Sequence, residues 1–332
     1  MSKKIEFLVG DNAFHGISHL SQQRARERSQ TESPVDIANA SELVALSLEN
    51  GAGGFMFSVS ETTLAIIKTL ESKPNLYPIV PYAYEYVRAA TAMGGIPGIA
   101  KKISKEILFS KSVFSVAANL WGLATSQPSA FLKTYLIYEL SRIRASAGKN
   151  AKINCMFLHE VITDMALALN ISWIFKTYLN FLLERDIKPG FETRNLPYLV
   201  DKFQEWNIDL SKIAITASFN RIGFQMNPTQ KQCEEVLDKM SGSQVIAMSV
   251  LAAGYLSPSE AAPYIVSLPN ISNTVIGVSK KKQAMETFRV FENAEKENLV
   301  NKALRFETPE VVTILPGQPL PAQLTTDPQR EK

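Results

Sequence analysis

Histidine, cysteine and tryptophan are scarce in this 332-residue chain, at three, two and three residues, and each scarcity closes a class of reading. Cys155 and Cys233 lie far apart with no CxxC and no Cys/His spacing around them, so neither a disulfide framework nor a zinc site is expected. A one-sided charge is lacking as well: 35 Lys and Arg stand against 32 Asp and Glu, and the basic residues are dispersed. The densest run, RARER at 24–28, carries its own Glu27 and reads as a solvated face, so no nucleic-acid partner is expected. A membrane-length apolar run is missing too. The least polar stretch, 112–132, is uncharged but holds Ser, Asn, Gln and Pro, and fits a buried lid or subunit contact better than a stable membrane span. The opening MSKKIEFLVGDNAF turns polar too early for a signal-peptide core, so a reducing cytoplasm is the expected location.

What is present is alternation. With 45% hydrophobic residues the chain can bury one large barrel or two smaller domains. Short β-branched or aromatic runs alternate with helical patterns, the signature of βα units around a parallel sheet. Eight runs read as strands, at 5–10, 54–59, 77–82, 153–159, 190–193, 212–219, 244–250 and 273–279. Eight closes an α/β single-domain (β/α)8 TIM barrel, expected over 1–307. Pro34 and Asp36 open a first helix that Gly51 ends, and NPTQKQCEEVLDKMSG repeats the pattern. The connection after strand three, about 84–151, is too long for one crossover and is expected to be a helical insertion, broken by MGGIPG at 93–98. The Pro-rich tail 308–332 is expected to pack loosely.

Barrel enzymes carry their chemistry at the C-terminal ends of the strands, and polar residues gather there in this chain. Residues 7–20, FLVGDNAFHGISHL, follow the first apolar run with Asp11, Asn12, His15 and His19. Alternation places Cys155, Phe157 and His159 on the inward face of strand four and turns Glu160 toward the helices. His159 is thus a candidate acid or base, against the reading of a core histidine bonded to a carbonyl. Glu192 ends an apolar strand, where partial desolvation raises a carboxyl pKa into a useful range; a cap or salt-bridge role competes. Asp11, His15, Asn220, Tyr82 and Tyr84 complete the catalytic candidates. His15 and His19 are four apart, but HGISH is not a HExxH motif, and no metal is expected. GVSKKKQAM puts Gly277 and Ser279 at the end of strand eight and Lys280 with two more lysines at a helix start, a place suited to phosphate.

VIAMSVLAAGYL at 245–256 and NTVIGVSKKKQAMETF at 273–288 resemble the strand-seven and strand-eight regions of the aldo-keto reductase superfamily. FLHE on strand four resembles its histidine-bearing strand. The resemblance covers the last third well, the middle loosely and the first third hardly at all. It implies an NADP-dependent barrel oxidoreductase, with Ser249, Gly277, Ser279 and Lys280 on the cofactor side and His159 polarising a carbonyl. The chain departs from the family's pattern elsewhere: strand two ends FSVSETT, strand three ends PIVPYAYEY, and the family's Tyr-Lys proton donor is missing. Glu192 and Thr193 stand where a Ser-Asn pair is expected, Thr216 where a glutamine is, and Met248 where a stacking aromatic is.

Two enzymatic readings and one non-enzymatic reading follow. The first is a barrel of this type redirected to acid-base chemistry, a lyase, isomerase or hydrolase step on a small anionic or phosphorylated substrate, with His159 and Glu192 as the pair. The second is an NADP-dependent carbonyl reductase with a displaced proton donor, Tyr82 or Tyr84. The third is a barrel kept for binding or as a subunit, and a homo-oligomer formed through 84–151 is compatible with each.

Overall fold

The β-branched and aromatic runs form eight parallel strands because each can bury both faces, one toward the barrel axis and one toward the surrounding helices. The computed structural model describes residues 4–15, 36–82, 128–148 and 150–307, with side chains as far as 301. The strands are β1 (Glu6–Gly10), β2 (Ala52–Ser58), β3 (Asn75–Val80), β4 (Cys155–Leu158), β5 (Lys188–Thr193), β6 (Ala214–Ser218), β7 (Gln244–Met248) and β8 (Ile271–Gly277). Each pairs with the next and β8 returns to β1, so the sheet closes into a barrel.

The described helices are α1 (Ile37–Glu49), α2 (Glu61–Thr69), α3 (Pro128–Ala147), α4 (Glu160–Ala168), α5 (Ser172–Leu183), α6 (Leu196–Glu205), α7 (Gln230–Asp238), α8 (Pro258–Ser267) and α9 (Lys281–Glu307). Their starts follow from capping: Asp36 accepts from Asn39 N at 3.0 Å and Thr229 from Gln232 N at 3.2 Å, each satisfying a donor that the first turn leaves open. Gly51, at φ +113°, releases the chain after α1 into a conformation that side chains with a Cβ avoid. Within the expected 84–151 insertion, α3 packs against α2 and α5 and so occupies the crossover position between β3 and β4. The rest of that insertion at 84–127 and 149, and the tail 308–332, lie outside the described residues. No helix among the described residues is long and apolar enough to cross a membrane.

Alternation sorts the barrel into two apolar layers. Phe7, Val9, Phe55, Phe57, Met156 and Phe191 point outward into the main core against the helices. Leu8, Met56, Ile79, Phe157, Ala214 and Ile246 fill the barrel interior. Gly190 makes this filling fit, since a Cβ there would stand 2.4 Å from the Phe157 ring. At the N-terminal floor Glu6 accepts from Tyr77 Oη at 2.8 Å and Asn273 Nδ2 at 2.7 Å. With floor and middle filled, the polar side chains of chemical interest collect at the C-terminal end.

Each expected strand shifts at one or both ends by one or two residues, and strands four and five show how. Strand four ends at Leu158, and Ile153 makes only an isolated bridge to Leu76. Strand five begins earlier, at Lys188 rather than residue 190, because ladder pairing with Cys155 needs only backbone groups.

Candidate active site

Asp11 follows β1 directly and is 4% exposed. Its Oδ2 accepts from Ser58 N at 2.7 Å and lies 3.0 Å from His15 Nε2, so β1 and β2 together fix the carboxylate and the carboxylate fixes the ring. A short 3-10 turn, Asn12–His15, brings the histidine back over the strand end. Its ring stacks on Tyr82 beyond β3, at a centroid distance of 4.6 Å and an interplanar angle of 27°.

His159 sits one residue past β4 and caps α4. Its backbone N donates to Val80 O at 2.8 Å, and its Nδ1 accepts from Val161 N at 3.2 Å. A neutral ring in this position therefore carries its proton on Nε2 and acts as a donor. Burial lowers its pKa below the usual 6.5, reinforced by Arg194 and opposed by Glu160, Asp11 and Asp164. The ring is held neutral near pH 7.

Glu192 shares the inward face of β5 with Gly190 and is 7% exposed. Burial, then the negative charge of Glu160, push its carboxyl from 4.5 up to about 8; Asp11 adds to the rise, while Arg194 and a hydrogen bond from Glu160 N restrain it. A carboxyl that stays protonated at neutral pH is a proton donor of the strength acid catalysis uses.

Arg194 was not among the expected site residues, yet it ties the mouth together. Its Nε lies 2.5 Å from Glu160 Oε2, and its Nη1 donates to Ser218 Oγ at 3.1 Å, Ser249 Oγ at 3.2 Å and Gln225 Oε1. Its backbone N donates to Asp164 Oδ2 at 3.0 Å, while Thr193 Oγ1 donates to Asp164 Oδ1 at 2.6 Å. The available signal was alternation itself, because Arg194 follows Glu192 by two residues and continues its inward face. Glu160 also departs from expectation. It opens α4 rather than continuing β4, so strand alternation does not govern it, and it faces Arg194 and Glu192 instead of the outer helices.

The remaining expected residues fall in several places. Asn220 is fully buried and braces its own loop, with Oδ1 accepting from Phe224 N at 2.7 Å and Nδ2 donating to Phe224 O at 2.8 Å. Tyr82 lies on His15, whereas Tyr84 and His19 are outside the described residues. Ser249, at φ 56°, turns its hydroxyl to Arg194. Gly277 ends β8 opposite Gly10. Just beyond, Gln283 Oε1 accepts from Ser279 N at 2.9 Å and Ser279 Oγ at 3.1 Å, and Lys281 pairs with Glu42 at 2.5 Å.

These contacts bear on the nicotinamide cofactor that the sequence resemblance implies. The Ser279 donors are already taken by Gln283, and buried Met248 offers no aromatic face for the ring. As arranged, the residues present do not fit that cofactor. Among the described residues no group of three or more His, Cys, Asp or Glu has metal-holding geometry.

No family model and no curated protein matches the sequence. Solved structures do. A protein from Pseudomonas aeruginosa, named a "putative aldo-keto reductase", matches with a TM-score of 0.55 at 11% identity, covering 87% of this chain and 90% of that one. A second structure under that name gives 0.54 at the same identity and coverage. A glycerol dehydrogenase from Gluconobacter oxydans covers 93% of this chain and 94% of its own, at 11% identity and a TM-score of 0.45. The first two likenesses show that this chain shares the (β/α)8 barrel fold with those proteins.

Proposed function

We propose that this barrel is an enzyme of acid-base chemistry, moving a proton between carbon and oxygen of a small carbonyl compound at the mouth of the barrel. The observation that carries the reading is the carboxyl of Glu192, buried on β5 and shifted to about 8, with His159 following Leu158 on the neighbouring strand, where Leu158 pairs with Phe191. Glu192 gives its proton to the carbonyl oxygen. His159, with Nδ1 occupied by Val161 N, offers Nε2–H to the same oxygen as a neutral donor. His15 removes the proton from the adjacent carbon through Nδ1, since its Nε2 is held by Asp11. One proton leaves carbon and one reaches oxygen, so the step produces the enol and balances without an added oxidant or reductant. The resulting class is an isomerase or lyase, the first of the readings made from the sequence.

The reductase reading needs the cofactor that the residues do not fit. The deciding experiment incubates the protein with small aldehydes and ketones in D2O and follows loss of the α-proton by NMR, alongside NADPH oxidation with the same compounds. Exchange that disappears in Glu192→Gln, with no NADPH oxidation, supports the proposal. NADPH oxidation without exchange refutes it. Ligand binding with neither reaction would leave a barrel kept for binding and would also refute it.

A further inference from the structure

Thr216 is fully buried and its Oγ1 has no hydrogen-bond partner among the described residues. A buried hydroxyl with no partner is costly, and where the group borders a reactive mouth the missing partner is naturally a ligand atom. Its direction follows from the strand. Ala214 lies in the barrel interior and Ser218 reaches Arg194 at the mouth, so Thr216 between them faces inward, in register with Glu192 on β5 and Ile246 on β7. The orphan hydroxyl and the Glu192 carboxyl are thus neighbours on the same inner wall.

One layer higher, Arg194 has committed Nε to Glu160 and Nη1 to Ser218, Ser249 and Gln225, and Nη2 has no partner among the described residues. Ser218 donates onward to Ser249 at 3.3 Å, which leaves the Ser249 hydroxyl proton unassigned. The wall therefore presents two tiers of donors: Thr216 with Glu192 below, Nη2 with Ser249 above. A carboxylate is the acceptor to which a guanidinium edge and a hydroxyl donate best, and a carbonyl oxygen accepts well from a hydroxyl and a protonated carboxyl.

We infer that the substrate is a short oxo acid, its carboxylate on Arg194 Nη2 and Ser249 and its carbonyl oxygen between Glu192 and Thr216. The inference rests on the acid-base reading and names the substrate class for that same site. The charged groups facing Glu192 are Glu160, Arg194 and Asp11. Glu160 is paired with Arg194, and Asp11 is engaged by Ser58 N and His15, so a neutral Glu192 is what allows one more negative charge at the mouth. Binding is consequently linked to protonation of Glu192, and affinity falls by about tenfold per pH unit once the pH exceeds that group's pKa.

The test uses the full chain and three probes of nearly one shape: 2-oxobutyrate, butyrate and 2-butanone, titrated calorimetrically at pH 6.5 and 9.5. Expected is tightest binding of 2-oxobutyrate at pH 6.5, with each single-function probe weaker by about tenfold, in line with one lost charge-assisted or neutral hydrogen-bonding set. Thr216→Val, of equal size, should bring 2-oxobutyrate down to the affinity of butyrate. Arg194→Lys should bring it toward that of 2-butanone, and Glu192→Gln should remove the pH dependence. Equal affinity for 2-butanone and 2-oxobutyrate overturns the inference, as does the absence of 2-oxobutyrate binding at millimolar concentration. Binding of methylammonium that tightens with pH also overturns it. Loss of the C3 protons of 2-oxobutyrate in D2O separates the two claims. Selective binding without exchange removes the acid-base reading and leaves the oxo-acid site, whereas exchange on 2-butanone with no preference for the acid does the reverse.

Discussion

Arg194 Nε lies 2.5 Å from Glu160 Oε2, joining the chain just past β5 to the first residue of α4, and both charges act on Glu192 and on His159. Their effects have opposite signs. Glu160→Gln removes a negative charge and should lower the pKa of both Glu192 and His159. Arg194→Ala removes a positive charge and should raise both. Carboxyl infrared bands for Glu192 and imidazole NMR shifts for His159 read the two groups separately. Unchanged values in both variants would mean that burial alone sets these pKa values.

The raised pKa of Glu192 has a thermodynamic counterpart. Between 4.5 and about 8 the folded chain keeps a proton at Glu192 that the unfolded chain has released. Stability from this group therefore falls as pH rises through that window, by roughly 1.4 kcal/mol per pH unit. His159 works the other way: its folded pKa is depressed, so its contribution is intact above 6.5 and is lost as pH falls through the folded value. Denaturant unfolding of wild type and Glu192→Gln from pH 5 to 9 isolates the first contribution as a difference curve. A difference that does not change with pH would show that Glu192 titrates as an ordinary carboxyl.

Gly190 offers a purely structural test. A methyl group there would lie 2.4 Å from Phe157 Cδ1 and 2.8 Å from Cys155 Sγ, inside the packed barrel where neither neighbour has room to retreat. Gly190→Ala should cost about 1–3 kcal/mol as an overpacking change, visible as a lowered Tm. An unchanged Tm would mean that the interior is looser than its burial indicates.

The strands were legible because burial on both faces selects β-branched and aromatic runs, and GFMFSV or QVIAMSV leave little else for those residues to do. Asp11 and Glu192 were legible as candidates because a carboxylate directly at the end of an apolar run has few ordinary uses. Arg194 was not, since its part depends on four partners from three other segments: Glu160, Ser218, Gln225 and Ser249. Asn220 shows the opposite case. It stands at a strand end as a catalytic residue would, but a buried amide four residues before Phe224 closes a loop on itself, a local contact that position alone does not reveal.

The loop after β8 carries the last prediction. Residues 277–280 were expected to hold an anion, and the donors needed for one are there, but Gln283 Oε1 accepts from both Ser279 N and Ser279 Oγ. An incoming phosphate must displace that side chain, losing two hydrogen bonds worth about 1 kcal/mol each before it gains any. Gln283→Ala removes the competitor while leaving Ser279 and Lys280 in place. If the loop is an anion site, this variant should bind inorganic phosphate roughly 5- to 30-fold more tightly than wild type, the equivalent of about 1–2 kcal/mol. The gain should vanish when Ser279→Ala is added, because the hydroxyl then has nothing to offer. Calorimetric titration at low ionic strength measures it, and a concurrent NADPH titration tells whether the uncovered donors serve a dinucleotide or only the free anion. Equal and weak phosphate affinity in wild type and Gln283→Ala would mean that the lysines at the start of α9 form a solvated face and that the loop's role is to end the barrel.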